Sequence, residues 1–303
     1  MIEEILFFGL VQGSILALLA LGLSLVYGVG GVLNLAHGSF YLLAAYIFYW
    51  FFNYFVQAGI IIVPIDTTVE LLSQLIGIIV ALILTTIVGG IAYLALIKPL
   101  QDTHVGVVLI TFGIAFFFEQ FVKLVPWSDE IFHTIPFLIG GSLRFLGVPF
   151  PAHYVLLIVS SLIIVSIVAL FIKKSKLGKS IRAVSQDSEA AQLVGINANR
   201  VLMYTVMISA FLAAVAAILY VPADFVAPHL GWSILTNSFA VVVLGGMGSL
   251  VGSVVGAYII GYATMIASYL IDPAVSSVIP IIIIVLMLVI RPRGIFGKKE
   301  LRY

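Results

Sequence analysis

Residues 153–172, HYVLLIVSSLIIVSIVALFI, contain no Lys, Arg, Asp or Glu, and residues 173–200, KKSKLGKSIRAVSQDSEAAQLVGINANR, follow at once as a polar, basic, helix-capable island. An apolar run of about 20 residues matches the hydrocarbon thickness of a bilayer at a helical rise of 1.5 Å per residue. The first stretch therefore reads as a membrane-spanning helix. The second reads as a cytoplasmic loop with a task of its own.

Working outward, the same alternation fills the chain. It has 303 residues, of which 63% are hydrophobic and 9% charged. A soluble domain carries about a quarter charged residues. A transmembrane β-barrel would show segments of roughly ten residues with alternating polarity, and the apolar runs here are continuous. Spans are expected near 5–28, 39–57, 71–97, 104–125, 153–172, 201–221, 232–247, 250–271 and 276–290. The expected fold is thus all-α, a polytopic transmembrane helix bundle of about nine spans (eight to ten). It is read as a single domain over 1–303 with glycine-broken helices and a cytoplasmic coupling helix in the loop 173–200.

Eleven of the fourteen Lys and Arg residues fall in two clusters. One comprises Lys173, Lys174, Lys176, Lys179, Arg182 and Arg200; the other comprises Arg291, Arg293, Lys298, Lys299 and Arg302. The positive-inside rule puts both on the cytoplasmic face. That charge has a juxtamembrane cause, so nucleic-acid binding is not expected. The opening MIEEILFFGL is acidic where a signal peptide would be basic, and is read as a retained first helix with its N-terminus outside. Cysteine is absent, which excludes disulfides and thiolate metal sites; no metal or cofactor is expected.

Two places interrupt the helical pattern at membrane depth. Residues 28–39, GVGGVLNLAHGS, and residues 244–249, LGGMGS, each end in Gly-Ser before a new apolar run. Unwound backbone is tolerated in a bilayer only where protein buries it or a watered cavity accepts it. Paired broken helices point to a translocation path, whereas glycine also punctuates ordinary turns; both readings stay open. The path candidates are Asn34, His37, Gly38, Ser39, Asn237, Gly245, Gly246, Gly248 and Ser249. A lone histidine such as His37 is more often a structural residue, and Asn34 and Ser39 beside it can fix its ring by hydrogen bonds.

Glu119 and Lys123 stand four apart and can pair on one helix face. Asp224, among Pro222, Pro228 and His229, is placed in an outer loop without a special role. In the longest outer loop, 126–152, Gly140-Gly141 between apolar runs suggests a hairpin, either a plain cap or a landing surface for an extracytoplasmic partner. Small residues at every fourth position (Gly9, Gly13, Ala17; Ala81, Thr85, Gly89; Gly248, Gly252, Gly256) permit close helix approach.

Catalytic motifs are missing. Gly178-Lys179-Ser180 resembles the end of a phosphate-binding loop, but Lys173 stands where that motif needs glycine. Neither a Gly-x-Ser-x-Gly elbow nor a His-Glu-x-x-His zinc motif occurs. An enzyme with its own ATPase site is not expected.

Within the island, Ile181, Val184, Leu193 and Val194 can face one side of an amphipathic helix suited to a partner's groove. Glu189-Ala190-Ala191-Gln192-Leu193-Val194-Gly195 resembles the E-A-A-x-x-x-G signature of ABC importer permeases, without the usual downstream Leu-Pro. The runs at 13–22, 26–28 and 34–38 resemble the opening of the branched-chain amino-acid ABC permeases of LivH type. Val194-Gly195-Ile196-Asn197 with Arg200-Val201, residues 243–249 with Gly252, and residues 292–297 resemble the same family further along. The resemblance spans residues 9–297. It implies ATPase coupling at Arg182, Asp187, Glu189, Ala190, Ala191 and Gly195. It also implies two ABC ATPase subunits, a second related permease subunit or a second copy, and an extracytoplasmic amino-acid-binding protein. The setting would be the cytoplasmic (inner) membrane of a bacterium or archaeon, multi-pass, with the C-terminus cytoplasmic. The expected cargo is branched-chain or other neutral amino acids, whose lack of net charge asks for dipoles rather than fixed charges along the path. A secondary transporter, a channel, and the same permease class carrying urea or amides are the alternatives.

Overall fold

Glycine, alanine and serine crowd the helices that pack most tightly here, and isoleucine, leucine and phenylalanine coat those that do not. A computed structural model of the chain describes residues 1–57, 67–101, 103–124, 134–145 and 148–297. Its helices are α1 (Ile2–Gly30), α2 (His37–Gln57), α3 (Thr67–Ala92), α4 (His104–Leu124), α5 (Ala152–Lys174), α6 (Lys176–Gln186), α7 (Ser188–Leu193), α8 (Ala198–Tyr220), α9 (Leu230–Gly245), α10 (Leu250–Leu270), α11 (Pro273–Ser276) and α12 (Ile279–Ile290). A π-helical turn (Tyr93–Ile97) and a 3-10 turn (Lys98–Leu100) carry α3 on to Pro99, where the missing amide ends it. Seven helical segments are long and apolar enough to cross a membrane, and α9 is a shorter apolar helix. With the 21-residue α2, every one of the nine expected spans is an apolar helix.

The centre is built from α1, α2, α8 and α9. Ser14 to Val26 of α1 are buried on all faces, as are Ala210, Ala213, Ala214, Ala216 and Ala217 of α8. Lipid gives no hydrophobic drive to helix association, so small residues and close contact must supply it. The sequence stripes do this within the chain. Gly9 and Gly13 receive the rings of Tyr262 and Tyr258, and a Cβ on Gly261 would lie 2.8 Å from the Gly13 Cα. Gly89 lies against Ala210.

Peripheral helices turn apolar stripes outward. On α3 the exposed row is Ile79, Ile83, Ile87 and Ile91; on α5 it is Val159, Ile163, Ile167 and Leu170. Spacing of three or four places each row on one face, as a lipid-facing helix needs.

The hairpin exists but not where the glycine pair suggested. Ser142–Phe145 (β1) pairs antiparallel with Val148–Pro151 (β2). Gly140 and Gly141 precede it: Gly141 is left-handed at φ 94°, and its carbonyl accepts from Ala152 N at 2.9 Å. The glycines start the hairpin rather than turn it. An aromatic cluster fastens it to α1, with Phe7 and Phe150 stacked at 4.0 Å and Phe8 edge-on to Tyr154 at 5.4 Å. All of 58–66 and of 125–133 lie outside the described residues, as do Lys298, Lys299 and Arg302.

Candidate functional site

The island folds as two short helices, each started by its own cap. Ser175 Oγ accepts from Gly178 N at 2.8 Å and begins α6. Asp187 Oδ1 accepts from Ala190 N at 2.9 Å and begins α7. Such caps satisfy orphan amides. Gly195, left-handed at φ 88°, ends α7; its amide reaches Gln192 O at 2.9 Å, and Ile196 N reaches Ala191 O at 3.0 Å. This crossed pair is how a glycine stops a helix. Asn197 then caps α8 through Arg200 N at 3.0 Å.

The two helices do not share one apolar face. Ile181, Val184 and Ala191 are buried, whereas Leu193 and Val194 are 89% and 78% exposed. Beyond the turn at Asp187, Ala191 still packs inward while Leu193 and Val194 point outward. Glu189 and Ala190 are exposed beside them. Arg182 is not at this tip. Its guanidinium donates to the Ile172 carbonyl at the end of α5, a favourable place for a cation. Gly178 lets α6 cross that same end, because a Cβ there would run into the Ile172 backbone.

Beneath α6 lies a cavity of about 730 Å³. Arg182, Ser185 and Gln186 of α6 line it together with Ser24 and Gly28 of α1, and Gly248 and Ser249 of the late glycine break. Two expected path residues and one expected coupling residue therefore meet in one space.

The glycine breaks differ in depth. Residues 244–249 form a tight turn at this end of the bundle. Gly245 and Gly252 touch backbone to backbone, and the tail seals the turn through Ile295 N to Leu244 O at 2.9 Å and Phe296 N to Gly245 O at 3.0 Å. Residues 31–36 instead re-enter the bundle. His37 lies against Gly22, eight positions before α1 ends, or about 12 Å inside it. Its Nδ1 pairs with Ser209 Oγ at 2.9 Å, and the ring is wholly buried. Asn34, 3% exposed, accepts from Ala36 N through Oδ1 at 3.1 Å. Irregular backbone at that depth thus supplies part of its own hydrogen bonding, as it must in a dry interior.

The partner of this re-entry is not the second glycine break. It is residues 221–229, which contain Asp224 and which the sequence reading put in an outer loop. They lead from the far end of α8 down to the start of α9, so that Gly38 packs against the Gly231 carbonyl. Two helices therefore begin face to face inside the bundle. A small void of about 10 Å³ between them is lined by Ser39, Trp232 and Glu119 among others. Glu119 Oε1 accepts from Lys123 Nζ at 2.9 Å, as its spacing predicts, and Oε2 accepts from Trp232 Nε1 at 2.5 Å. Sequence reasoning missed Trp232. The signal was the shortness of α9, 16 residues, too few to cross about 30 Å of hydrocarbon. Of the other path candidates, Asn34, His37 and Gly38 pack in the interior, Asn237 is half-buried on α9, and Gly245 and Gly246 hold the sealed turn; none of these lines either cavity. Among the described residues no cluster of metal-ligating side chains occurs.

A family model described as branched-chain amino acid transport system permease component matches residues 5–288. The high-affinity branched-chain amino acid permease protein LivH of Salmonella typhimurium is 29% identical over 316 aligned positions, covering 99% of each chain. BraD of Pseudomonas aeruginosa, another high-affinity branched-chain amino acid permease protein, is 31% identical across 96% of this chain and 94% of its own. A probable LivH of Methanocaldococcus jannaschii is 26% identical across 95% and 90%. No solved structure matches the chain. The family model matches most of the chain and BraD is 31% identical over nearly the whole of it, so the chain belongs to the family of branched-chain amino acid transport system permease components.

Proposed function

We propose that this chain is the permease subunit of a binding-protein-dependent ABC importer that moves branched-chain or other neutral amino acids into the cytoplasm. It forms one permease domain over 1–303. ATP is hydrolysed on two separate ATPase subunits, an extracytoplasmic amino-acid-binding protein delivers the cargo, and a second related permease or a second copy completes the path. The membrane is the cytoplasmic (inner) membrane, with α6, α7 and the C-terminus on the cytoplasmic side, as the basic clusters require.

The observation that carries this reading is the outward turn of Leu193 and Val194 on a helix capped at one end by Asp187 and stopped at the other by Gly195. Exposed apolar residues on a rigid, polar-flanked knob suit a groove on a soluble partner. Asp187, Glu189, Ala190, Ala191 and Gly195 form the knob, and Arg182 ties its base to α5. Closure of the ATPase pair on ATP would push this lever, and α6 would pass the push to the cavity wall at Ser24 and Ser249. The energy enters only through contacts that differ between two states of the bundle.

A photo-crosslinker at Glu189 should capture the ATPase subunit in the assembled transporter; capture of no nucleotide-hydrolysing protein would sink the reading. Replacing Gly195 by Val places a β-branched residue at positive φ, a cost of about 1–2 kcal/mol. Transport per ATP hydrolysed should fall while membrane insertion is retained. Uptake that persists after ATP depletion and stops with an ionophore would favour a secondary transporter instead.

A further inference from the structure

The descending segment 221–229 carries a charge that nothing in the chain answers. Asp224 is half-buried and makes no ion pair among the described residues. The sequence leaves it little to pair with. Apart from the two cytoplasmic clusters and Lys98 at the inner end of α3, the only Lys and Arg residues are Lys123 and Arg144. Lys123 is held by Glu119 at 2.9 Å, and Arg144 is exposed on β1. The amino terminus is taken by Glu3 and Glu4 at 3.9 and 3.4 Å. An ionisable side chain within a membrane bundle is costly, and its retention points to a partner that it serves. The neighbours of Asp224 are tyrosines. Its carboxylate has the Phe225 amide beside it and interacts electrostatically with Tyr41 of α2, Tyr154 of α5 and Tyr220 of α8. Tyr220 donates to Gln12 Oε1 at 3.4 Å. Tyr41 is buried, and neither its hydroxyl nor that of Tyr154 makes a hydrogen bond with a described residue. One carboxylate and two hydroxyls are thus acceptors short of donors. An ammonium group is the complement, with three donors and no acceptor. Its bond to a carboxylate is of the strong, charge-assisted kind, and aromatic faces attract a cation. Asp224, Tyr154, Tyr220 and Gln12 each keep part of their surface open, so a ligand can reach them.

We propose that Asp224, framed by Tyr154 and Tyr220, receives the ammonium group of the incoming amino acid on its way through the bundle. The cargo is neutral overall, yet its charged ends are separate, and one fixed carboxylate can read one of them. Urea and amides carry no cation and would leave that carboxylate unpaired, so the same residue selects against them. The inference rests on the reading of the chain as an amino-acid importer permease, and it names the group that the permease itself recognises.

The test uses the assembled transporter in liposomes, with the binding protein kept saturated by leucine. Asp224→Asn keeps the shape of the side chain and removes its charge. Leucine uptake should fall about tenfold or more, and Asp224→Glu should recover most of it. The melting temperature of Asp224→Asn should hold or rise, because an uncompensated charge has gone. Undiminished uptake overturns the proposal, and so does uptake that falls together with the melting temperature, which would mark a structural residue. Two leucine analogues then isolate the ammonium. Isopentylamine keeps it and lacks the carboxylate; isocaproate keeps the carboxylate and lacks the ammonium. Isopentylamine at roughly ten times its inhibition constant should slow uptake by the unaltered protein about tenfold, and isocaproate should not. Asp224→Asn, compared with itself, should lose the response to the amine. Inhibition by both analogues alike, or by neither, overturns the proposal. So does a shift in the binding-protein concentration that half-saturates ATP hydrolysis by Asp224→Asn, since that would make Asp224 a docking contact. Leucine uptake that proceeds without ATP would overturn the importer reading instead, and the comparison of the two analogues would still decide Asp224.

Discussion

Gly38 is one of the tightly constrained glycines among the described residues. It lies in the first turn of α2, where a Cβ would meet the Gly231 carbonyl and come within 2.9 Å of Leu235 Cβ. The obstacle is backbone on one side and the root of a side chain on the other, so neither can swing away. Gly38→Leu should destabilise the protein by about 1–3 kcal/mol, the usual range for an overpacked core, read as a lower melting temperature in detergent. Gly31 is the contrasting case: it is left-handed at φ 66° with nothing within 4 Å of a Cβ, so there the backbone alone asks for glycine. The two sit in one glycine-rich stretch, and the letters alone do not tell them apart.

Among elements, α9 depends on α4. Its first turn is tethered when Trp232 Nε1 donates to Glu119 Oε2, a carboxylate that Lys123 also holds. A hydrogen bond to a charged group contributes about 1.5–3 kcal/mol. Trp232→Phe keeps the ring and deletes the donor, and should lower stability by that order, with faster amide exchange at the start of α9. Glu119 and Lys123 were legible as a pair from their spacing. The indole that completes the group comes from a segment 113 positions away, which no local pattern encodes. At α7 the dependence is local. Asp187→Ala removes the cap on Ala190 N at a cost of about 1 kcal/mol, and hydrogen exchange across 188–193 should rise while the transmembrane helices keep their protection.

For the whole molecule, the tail acts as a clamp. Ile295 and Phe296 add two backbone hydrogen bonds to the end of α9, and Gly294 packs against Gly246 so closely that a Cβ would overlap it. Truncation before Pro292 should leave the nine apolar helices inserted but free the turn at 246–249. The expected result is a lower melting temperature and new protease cleavage in that turn. Retention of full protection there would contradict the clamp.

Composition and the length of the apolar runs determined that the chain is a helical membrane bundle, because a bilayer leaves a continuous apolar segment few other options. The caps at Ser175, Asp187 and Asn197 and the stop at Gly195 were likewise written locally, since each acts within about one turn of the helix it ends. Depth was not. Which glycine break re-enters the bundle and which is a sealed turn depends on what lies across from it: Gly231 for Gly38, Ser209 for His37, Gly252 for Gly245. The direction of Leu193 and Val194, the descent of residues 221–229, and the meeting of Ser24, Arg182 and Ser249 around one cavity were also decided only by the tertiary structure. Those outcomes follow from contacts between residues far apart in the chain, and a periodicity read along one helix holds no information about its neighbour.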